Sequence, residues 1–435
     1  MEDVARLPSV GVTSDRIVAC HDCGTIHRIG KVMPGQAARC GTCGGTLWRQ
    51  HHDGLRHALM LTLAGAILFA ISNSYPILTM RLEGHESENT ILSGVWALYE
   101  HGMTSLAILV FGLIFAVPLL NLIGNLYVLV PLSMGRRPWK AAPVLHIVEG
   151  AHPWAMLEVY LLGVIVAYVK LADLATIDPG IALFAFVALI VTLIAADSAL
   201  DPCEAWEKLA PQATTASLGA RDRSLVSCHG CGQIVAVPAH SSPNSTEPHG
   251  CCPRCGAALH VRKPNSVNRT WALILTATIL YVPANLLPVM TVVSFGKGEP
   301  DTILSGVQAL IAVGMWPVAI LVFFASITVP VLKLIGLSFL LISVQRRTAW
   351  RRRDRTVLYR IVENVGRWSM VDIFMISILT ALVNLQAIAT IDPGPGAIAF
   401  AAVVVITMIA SFSFDPRLIW DAAEHPHDRK QTVRI

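Results

Sequence analysis

Charge is scarce in this sequence. Only 14% of its 435 residues are Asp, Glu, Lys or Arg, while 54% are hydrophobic and the mean hydropathy is +0.58. An ordinary soluble domain carries about 25% charged residues. Catalytic signatures are missing as well. The chain has no phosphate-cradling P-loop, no Gly-x-Ser-x-Gly and no His-Glu-x-x-His, and no Ser/His/Asp arrangement can be argued from it. These absences exclude ATP-driven transport by this chain alone and point to a protein that is not an enzyme. Residues 1–19 contain Glu2, Asp3, Arg6, Asp15 and Arg16 and no apolar core of signal type. The first apolar segment is therefore expected to direct membrane insertion.

What the chain does have is repetition. Cys20-His-Asp-Cys23-Gly24 and Cys40-Gly-Thr-Cys43-Gly44 return as Cys228-His-Gly-Cys231-Gly232 and Cys252-Pro-Arg-Cys255-Gly256. Thr90-Ile-Leu-Ser-Gly-Val95 returns as Thr302-Ile-Leu-Ser-Gly-Val307, and Ala175-Thr-Ile-Asp-Pro-Gly180 as Ala389-Thr-Ile-Asp-Pro-Gly394. The offset is 208 at Cys20/Cys228, 212 from Cys43/Cys255 to Gly124/Gly336, and 214 from Glu149/Glu363 to Trp206/Trp420. Length changes only within the cysteine segment and in one loop, where insertions are tolerated. Self-similarity on this scale sets the architecture before any single motif is read.

Eight apolar segments follow the same repeat, near 57–79, 104–132, 154–174 and 181–199, then 270–290, 317–344, 368–388 and 396–414. Each approaches the roughly 20 residues that cross a bilayer core. The link after the second segment carries Arg136, Arg137 and Lys140, and its counterpart carries Arg346, Arg347, Arg351, Arg352, Arg353 and Arg355. The links after the first and fifth are acidic or mixed, with Glu83, Glu86, Glu88 and Glu100, then Lys297, Glu299 and Asp301. Positive charge marks the cytoplasmic side. Both termini and both cysteine segments are then cytoplasmic, and the net charge of +4 reflects anchoring rather than nucleic-acid binding. Four spans per copy is an even number, so the copies share one orientation, as parallel repeats do.

Each Cys-x-x-Cys turn aims two thiolates at one point. Two such turns, with 16 intervening residues in the first copy and 20 in the second, supply four thiolates for a closed tetrahedral site. Cys20, Cys23, Cys40 and Cys43 form one set, and Cys228, Cys231, Cys252 and Cys255 the other. That donor set suits zinc, two ions in all, in structural rather than catalytic sites. A rubredoxin-like iron site and a dithiol redox pair are the alternatives. A cytoplasmic setting argues against disulfides. Cys251 and Cys203 fall outside the quartets, and His21 and His229 read as neighbours of the metal rather than ligands.

Inside the apolar segments, ionisable groups are costly and face an interior, a cavity or a partner. Lys170 and Asp173 share one helix face and can pair. Their repeat counterparts are Asn384 and Ala387, so this pair belongs to the first copy only. Lys333 stands where the first copy has Asn121, and Glu158 matches Asp372 near the inner ends of the third and seventh segments. The plain alternative is that these groups snorkel to the interface or cap helices. Pro76, Pro118, Pro288 and Pro330 are expected to kink or break helices. Asn73 and Asn285 are placed to bond the carbonyls freed there, either as structural repair or beside an outward-facing cleft. Residues 90–101 and 302–313 read as short amphipathic helices on the outer surface.

Paired Cys-x-x-Cys-Gly knuckles leading into four spans, twice over, resemble the paraquat-inducible protein A family, PqiA and its relative LetA. The likeness runs from about Cys20 to Trp420, and its most specific parts are the knuckles, Asn73-Ser-Tyr-Pro76, Asn285-Leu-Leu-Pro288 and the two repeated pentapeptides. The resemblance implies a Gram-negative inner-membrane protein that works with a periplasmic MCE-domain tunnel partner on phospholipid or another lipophilic cargo. The polar residues of the spans would then line or gate the route. A metal- or redox-responsive membrane protein and an ion-coupled small-solute transporter remain the rival readings.

The expected fold is an all-α polytopic membrane protein of two tandem four-helix modules, each preceded by a small cytoplasmic zinc ribbon. The expected boundaries are residues 15–50 for ribbon 1, 55–206 for module 1, 224–262 for ribbon 2, 267–420 for module 2 and 421–435 for a tail. Because the ribbons repeat faithfully and the membrane charges do not, the expectation is a pseudo-symmetric frame with an asymmetric working site.

Overall fold

The computed structural model describes residues 16–30, 32–33, 35–49, 54–82, 85–136, 138–171, 176–200, 202–209, 223–238, 250–294, 297–312, 314–383 and 389–421. Asp173, Asn384 and the tail beyond residue 421 lie outside the described residues.

The first copy opens with strands β1 (Arg16–Ala19), β2 (Ile26–Ile29), β3 (Ala37–Arg39) and β4 (Thr46–Arg49). Then come α1 (Gly54–Ser74), β5 (Leu78–Leu82), β6 (His85–Asn89), α2 (Ser93–Glu100) and α3 (Thr104–Phe111). A π-helical turn leads into α4 (Val117–Ser133), followed by α5 (Ala141–Ala151), α6 (Leu157–Leu171), β7 (Thr176–Pro179), α7 (Ile181–Ala199) and α8 (Pro202–Leu209).

The second copy repeats the order with β8 (Arg223–Ser227), β9 (Ile234–Pro238), α9 (Ser266–Leu286), β10 (Met290–Ser294), β11 (Lys297–Asp301), α10 (Ile303–Ala312) and α11 (Trp316–Phe323). It closes with α12 (Val329–Gln345), α13 (Arg352–Val365), α14 (Val371–Leu382), β12 (Ala389–Pro393), α15 (Pro395–Ser413) and α16 (Leu418–Asp421).

The chain is a mostly helical polytopic membrane protein. Among the described residues, seven helical stretches are long and apolar enough to cross a membrane: Gly54–Ser74, Thr104–Ser133, Ala141–Leu171, Ile181–Ala199, Trp316–Gln345, Arg352–Leu382 and Pro395–Ser413. Helices suit this task because they satisfy their own backbone groups where water is absent. The eighth expected segment is α9, with the 21 residues of its counterpart α1 and, like it, polar residues in the first turn, Asn268 and Arg269 where α1 has Arg56 and His57. The segments expected near 154–174 and 368–388 are the far parts of longer stretches. Each is interrupted by a 3-10 turn, His152–Trp154 in one and Gly366–Met370 in the other.

The all-α expectation needs correction. Opposite the ribbons, each copy closes with a three-stranded antiparallel sheet, in the order β6-β5-β7 and β11-β10-β12. Leu78 pairs with Pro179 in one sheet and Met290 with Pro393 in the other. These sheets explain two motifs together. Pro76 and Pro288 do not kink helices but fall just beyond the ends of α1 and α9, where a residue without an N–H stops the ladder. The chain then turns extended and meets the Thr-Ile-Asp-Pro-Gly strand. Gly180 N–H donates to Ile77 O (2.8 Å) and Gly394 N–H to Val289 O (2.8 Å). Pro118 and Pro330 do lie inside spans, each directly after a π-helical turn, Gly112–Ala116 and Phe324–Thr328. Such a turn re-spaces the ladder where proline has removed a donor.

The copies meet along α6 and α14. A Cβ at Gly163 would lie 3.0 Å from Phe374 Cβ, so glycine permits the close approach. Tyr160 stands edge-on between Phe186 and Phe374, with ring centroids 5.7 and 5.6 Å away.

The short helices break the symmetry. The Thr90/Ser93 and Thr302/Ser305 pairs cap α2 and α10 reciprocally, with Thr90 N–H to Ser93 Oγ at 3.0 Å and Thr302 N–H to Ser305 Oγ at 2.8 Å. Rather than lying freely on the surface, α2 packs onto α14 of the other copy. His101 Nδ1 adds a 3.1 Å contact with Asp392 Oδ1. α10 rests on α11, and among the described residues no comparable contact joins it to α6. The glycines record the difference. A Cβ at Gly94 would lie 2.9 Å from Ser377 O, whereas one at Gly306 meets nothing within 4 Å. Gly94→Ala is therefore expected to destabilise the protein by about 1–3 kcal/mol through overpacking. Gly306→Ala is expected to be neutral or to gain about 0.5 kcal/mol from helix propensity. Thermal unfolding of the two variants in detergent checks the contrast.

Candidate functional site

The four cysteines of each ribbon converge. Within each set, ligand atoms lie within 4.8 Å of one another. Cys20 and Cys43 sulfurs are 3.4 Å apart, Cys23 and Cys40 3.5 Å, Cys228 and Cys255 3.5 Å, and Cys231 and Cys252 3.6 Å. Tetrahedral bonds of about 2.3 Å place thiolates roughly 3.8 Å apart, so the clusters fit one metal ion each. Turn geometry produces this. Gly24, Gly44, Gly232 and Gly256 have φ of 76°, 77°, 68° and 76°, a conformation glycine adopts without strain. Their N–H groups donate to the carbonyls of Cys20, Cys40, Cys228 and Cys252.

The same turns divide the thiols: hydrogen bonds to neighbouring thiols and burial push Cys20, Cys43, Cys231 and Cys255 up, while Cys40 and Cys228 are lowered. Burial pushes Cys40 up, but the backbone N–H groups of Cys43 and Thr42 outweigh it and bring the thiol to about 6. The hydrogen bond from Cys231, followed by backbone donors, brings Cys228 to about 4. A bound ion would join the two hairpins of a ribbon too small to build a core of its own.

The ribbons are seated crosswise. Ribbon 1 docks on the second copy, where Arg360 of α13 donates to Asp22 (Nε to Oδ2, 2.9 Å) and Arg417 Nε to His21 O (3.1 Å). Trp420 packs against its four cysteines. Burial pushes the Asp22 carboxyl up, yet hydrogen bonds from His21 and Arg360 hold it below the usual range. Ribbon 2 docks on the first copy, with Cys228, Cys231, Cys252 and Leu259 packed on Leu145, Ala205 and Trp206. His229 is exposed at the ribbon surface, where loss of hydration and then the charge of Arg417 act to lower it. Neither His21 nor His229 belongs to a ligand cluster.

At the sheet end a narrow cleft lies where α10 fails to close on α6. Its walls combine apolar Met290, Leu310, Met375 and Ile376 with Lys170, Asp301 and Asp372. The void is about 30 Å³, room for a water or two but not for an extended chain. Asp372 is 3% exposed, and neither carboxyl oxygen has a hydrogen-bond partner among the described residues. Ser326 lies beside it in the π-helical turn, but its hydroxyl donates to Val322 O at 2.6 Å.

The sequence-selected residues separate accordingly. Lys170 and Asp372 share the cleft, while Glu158, the repeat counterpart of Asp372, is exposed. Lys333 does not reach an interface. It is 3% exposed, and its Nζ fills the space that a Cβ at Gly366 would occupy. Asn121 is half-buried, with an Oδ1 that finds no partner. Asn73 Nδ2 and Asn285 Nδ2 donate to the carbonyls of Phe69 and Tyr281, one turn back in the same helix and each at 2.8 Å. Asp301 and Ser326 were missed. Asp301 counted only as a loop charge, and nothing in the sequence marks Ser326 as sitting in a π-turn.

A family profile described as "Paraquat-inducible protein A" matches residues 55–210 and again residues 267–424. "Lipophilic envelope-spanning tunnel protein A" of Escherichia coli (strain K12) is 32% identical over 410 residues, 94% of this chain and 92% of that protein. "Intermembrane transport protein PqiA" of the same strain is 33% identical over 410 residues, 93% of this chain and 95% of its own length. A "Probable intermembrane transport protein" of Haemophilus influenzae is 29% identical over 430 residues, 95% and 98% of the two chains. No solved structure matches. With the profile matched twice and identity of this order along nearly the whole chain, the protein belongs to the paraquat-inducible protein A family.

Proposed function

We propose that this chain is the inner-membrane component of an MCE-type lipid transport system. It loads or receives phospholipid or another lipophilic molecule for a periplasmic tunnel protein and so supports the envelope. The observation that carries this is the cleft at the sheet end, apolar on its walls, charged at Lys170, Asp301 and Asp372, and bounded by an α10 that lacks the contacts of α2. An acyl chain enters only when α10 swings off, and the charges then meet the headgroup. The names of the relatives support a transport component rather than an enzyme.

In this reading α9 is the eighth span, and the two modules occupy residues 55–206 and 267–420. Ribbons of residues 15–50 and 224–262 each hold one zinc ion on the cytoplasmic side. That side is supported by the seating of ribbon 1 against Arg353, Arg360 and Arg417. The sheets and the cleft then face the periplasm.

The test is lipid analysis of the purified protein. Phospholipid enriched over bulk membrane is expected, and Lys170→Met or Asp372→Asn should lower it roughly tenfold, the effect of about 1.4 kcal/mol. No enrichment in the parent protein would sink the reading.

A further inference from the structure

The two ribbons are docked through matched positions that carry different chemistry. Asp22 matches Gly230 at the ribbon offset of 208, and Arg360 matches His146 at the helix offset of 214. In ribbon 1 the guanidinium of Arg360 grips the Asp22 carboxylate and reaches Cys43 Sγ at 3.4 Å. His27 Nε2 stands 3.1 Å from Cys40 Sγ. All four cysteines are at most 6% exposed.

Ribbon 2 makes the same approach with an imidazole in place of the guanidinium. The His146 ring presses its edge onto Gly230, where any Cβ would collide, and packs tilted by 52° against Trp206 with centroids 5.1 Å apart. The position matching His27 is Val235, which has no proton to give. Cys255, the counterpart of Cys43, is half-buried where Cys43 is 1% exposed.

Metal-bound thiolate remains a nucleophile. Donated N–H bonds withdraw its charge, and burial denies an attacker its approach. Backbone N–H groups serve both ribbons, but ribbon 1 adds the side-chain donors Arg360 and His27 and buries all four sulfurs, while ribbon 2 leaves Cys255 half-buried. We propose that ribbon 2 is an exchangeable, thiol-reactive metal centre that opens at Cys255, while ribbon 1 is a locked brace. Its reactants are soft divalent cations and thiol-selective carbon electrophiles. With a maleimide, the Cys255 sulfur forms a bond to ring carbon as its bond to the metal breaks, and the resulting carbanion takes a proton from water. The ion, left with three thiolates, passes to a chelator. This inference rests on each ribbon holding an ion.

The full-length protein in detergent tests it, with metal counted first. Two ions per chain are expected. N-ethylmaleimide with a zinc-binding dye should release them in two phases of one ion each, separated by roughly tenfold in rate, equivalent to about 1.4 kcal/mol of barrier. Peptide mass spectrometry sampled in the fast phase should find Cys255 alkylated while Cys20, Cys23, Cys40 and Cys43 are intact. Arg360→His should bring the phases together, and Val235→His should slow the fast one. Release in a single phase from the parent protein, or alkylation of ribbon 1 first, overturns the ranking. A protein purified without metal overturns the metal reading itself, and this inference with it.

Discussion

A Cys43→Ser chain is expected to carry one metal ion instead of two and to lose the fold of ribbon 1. Among the described residues of that ribbon, the buried cluster is its four cysteines with Leu47 and Trp420 packed against them, and little else beyond Ile29 is buried. Its two sheets are two-stranded hairpins, marginal in water by themselves. Metal binding in such sites supplies about 10–16 kcal/mol, far more than the packing available here. The variant should therefore show half the metal by elemental analysis and new protease cleavage between residues 16 and 49. An intact ribbon with full metal content would mean that the fourth ligand is dispensable and the cluster something other than a closed tetrahedral site.

Gly180→Ala and Gly394→Ala are expected to be the most damaging single-methyl changes in the membrane part. A Cβ at Gly180 would overlap Pro76 O and lie 3.0 Å from Pro76 C, and one at Gly394 would overlap Pro288 O and lie 3.0 Å from Pro288 C. These are backbone atoms at the stops of α1 and α9, so no rotamer change relieves the clash. Moving the backbone would break the sheet pairing Leu78–Pro179 or Met290–Pro393. A loss of about 3 kcal/mol or more is expected for each, at the upper end of overpacking costs. Lower yield of folded protein in detergent and earlier thermal unfolding than for Gly306→Ala would bear this out. Parent-like stability for either variant would mean that the helix stop and the glycine do not press together.

What the sequence made legible is what lies close along the chain or recurs at a fixed offset. The Cys-x-x-Cys turns are local, so spacing alone located both metal clusters. Span positions followed from hydropathy, although α9 is marginal. The repeated pentapeptides were visible as motifs, but their purpose was not. Thr176 Oγ1 donates to Arg81 O across 95 residues, and no local pattern announces such a strand partner. Arg360 reaches Asp22 across 338 residues, which hid the crosswise seating of the ribbons. The membrane lysines looked alike in sequence. Packing separated them, Lys170 into the cleft and Lys333 onto Gly366.

The crosswise seating also orders events at the ribosome. Ribbon 1 is made early, but His21 waits for Arg417, which is 396 residues further on. At 5–20 residues per second that wait is roughly 20–80 s. Throughout it, the Asp22 carboxylate and the apolar face meant for Trp420 lack the partners they have in the finished fold. Ribbon 2 needs only Leu145, Ala205 and Trp206, all of which have left the ribosome before its first knuckle. A chain stalled or truncated before α16 would thus display one settled ribbon and one unsettled one, a difference that a protease or chaperone can read as a mark of unfinished synthesis.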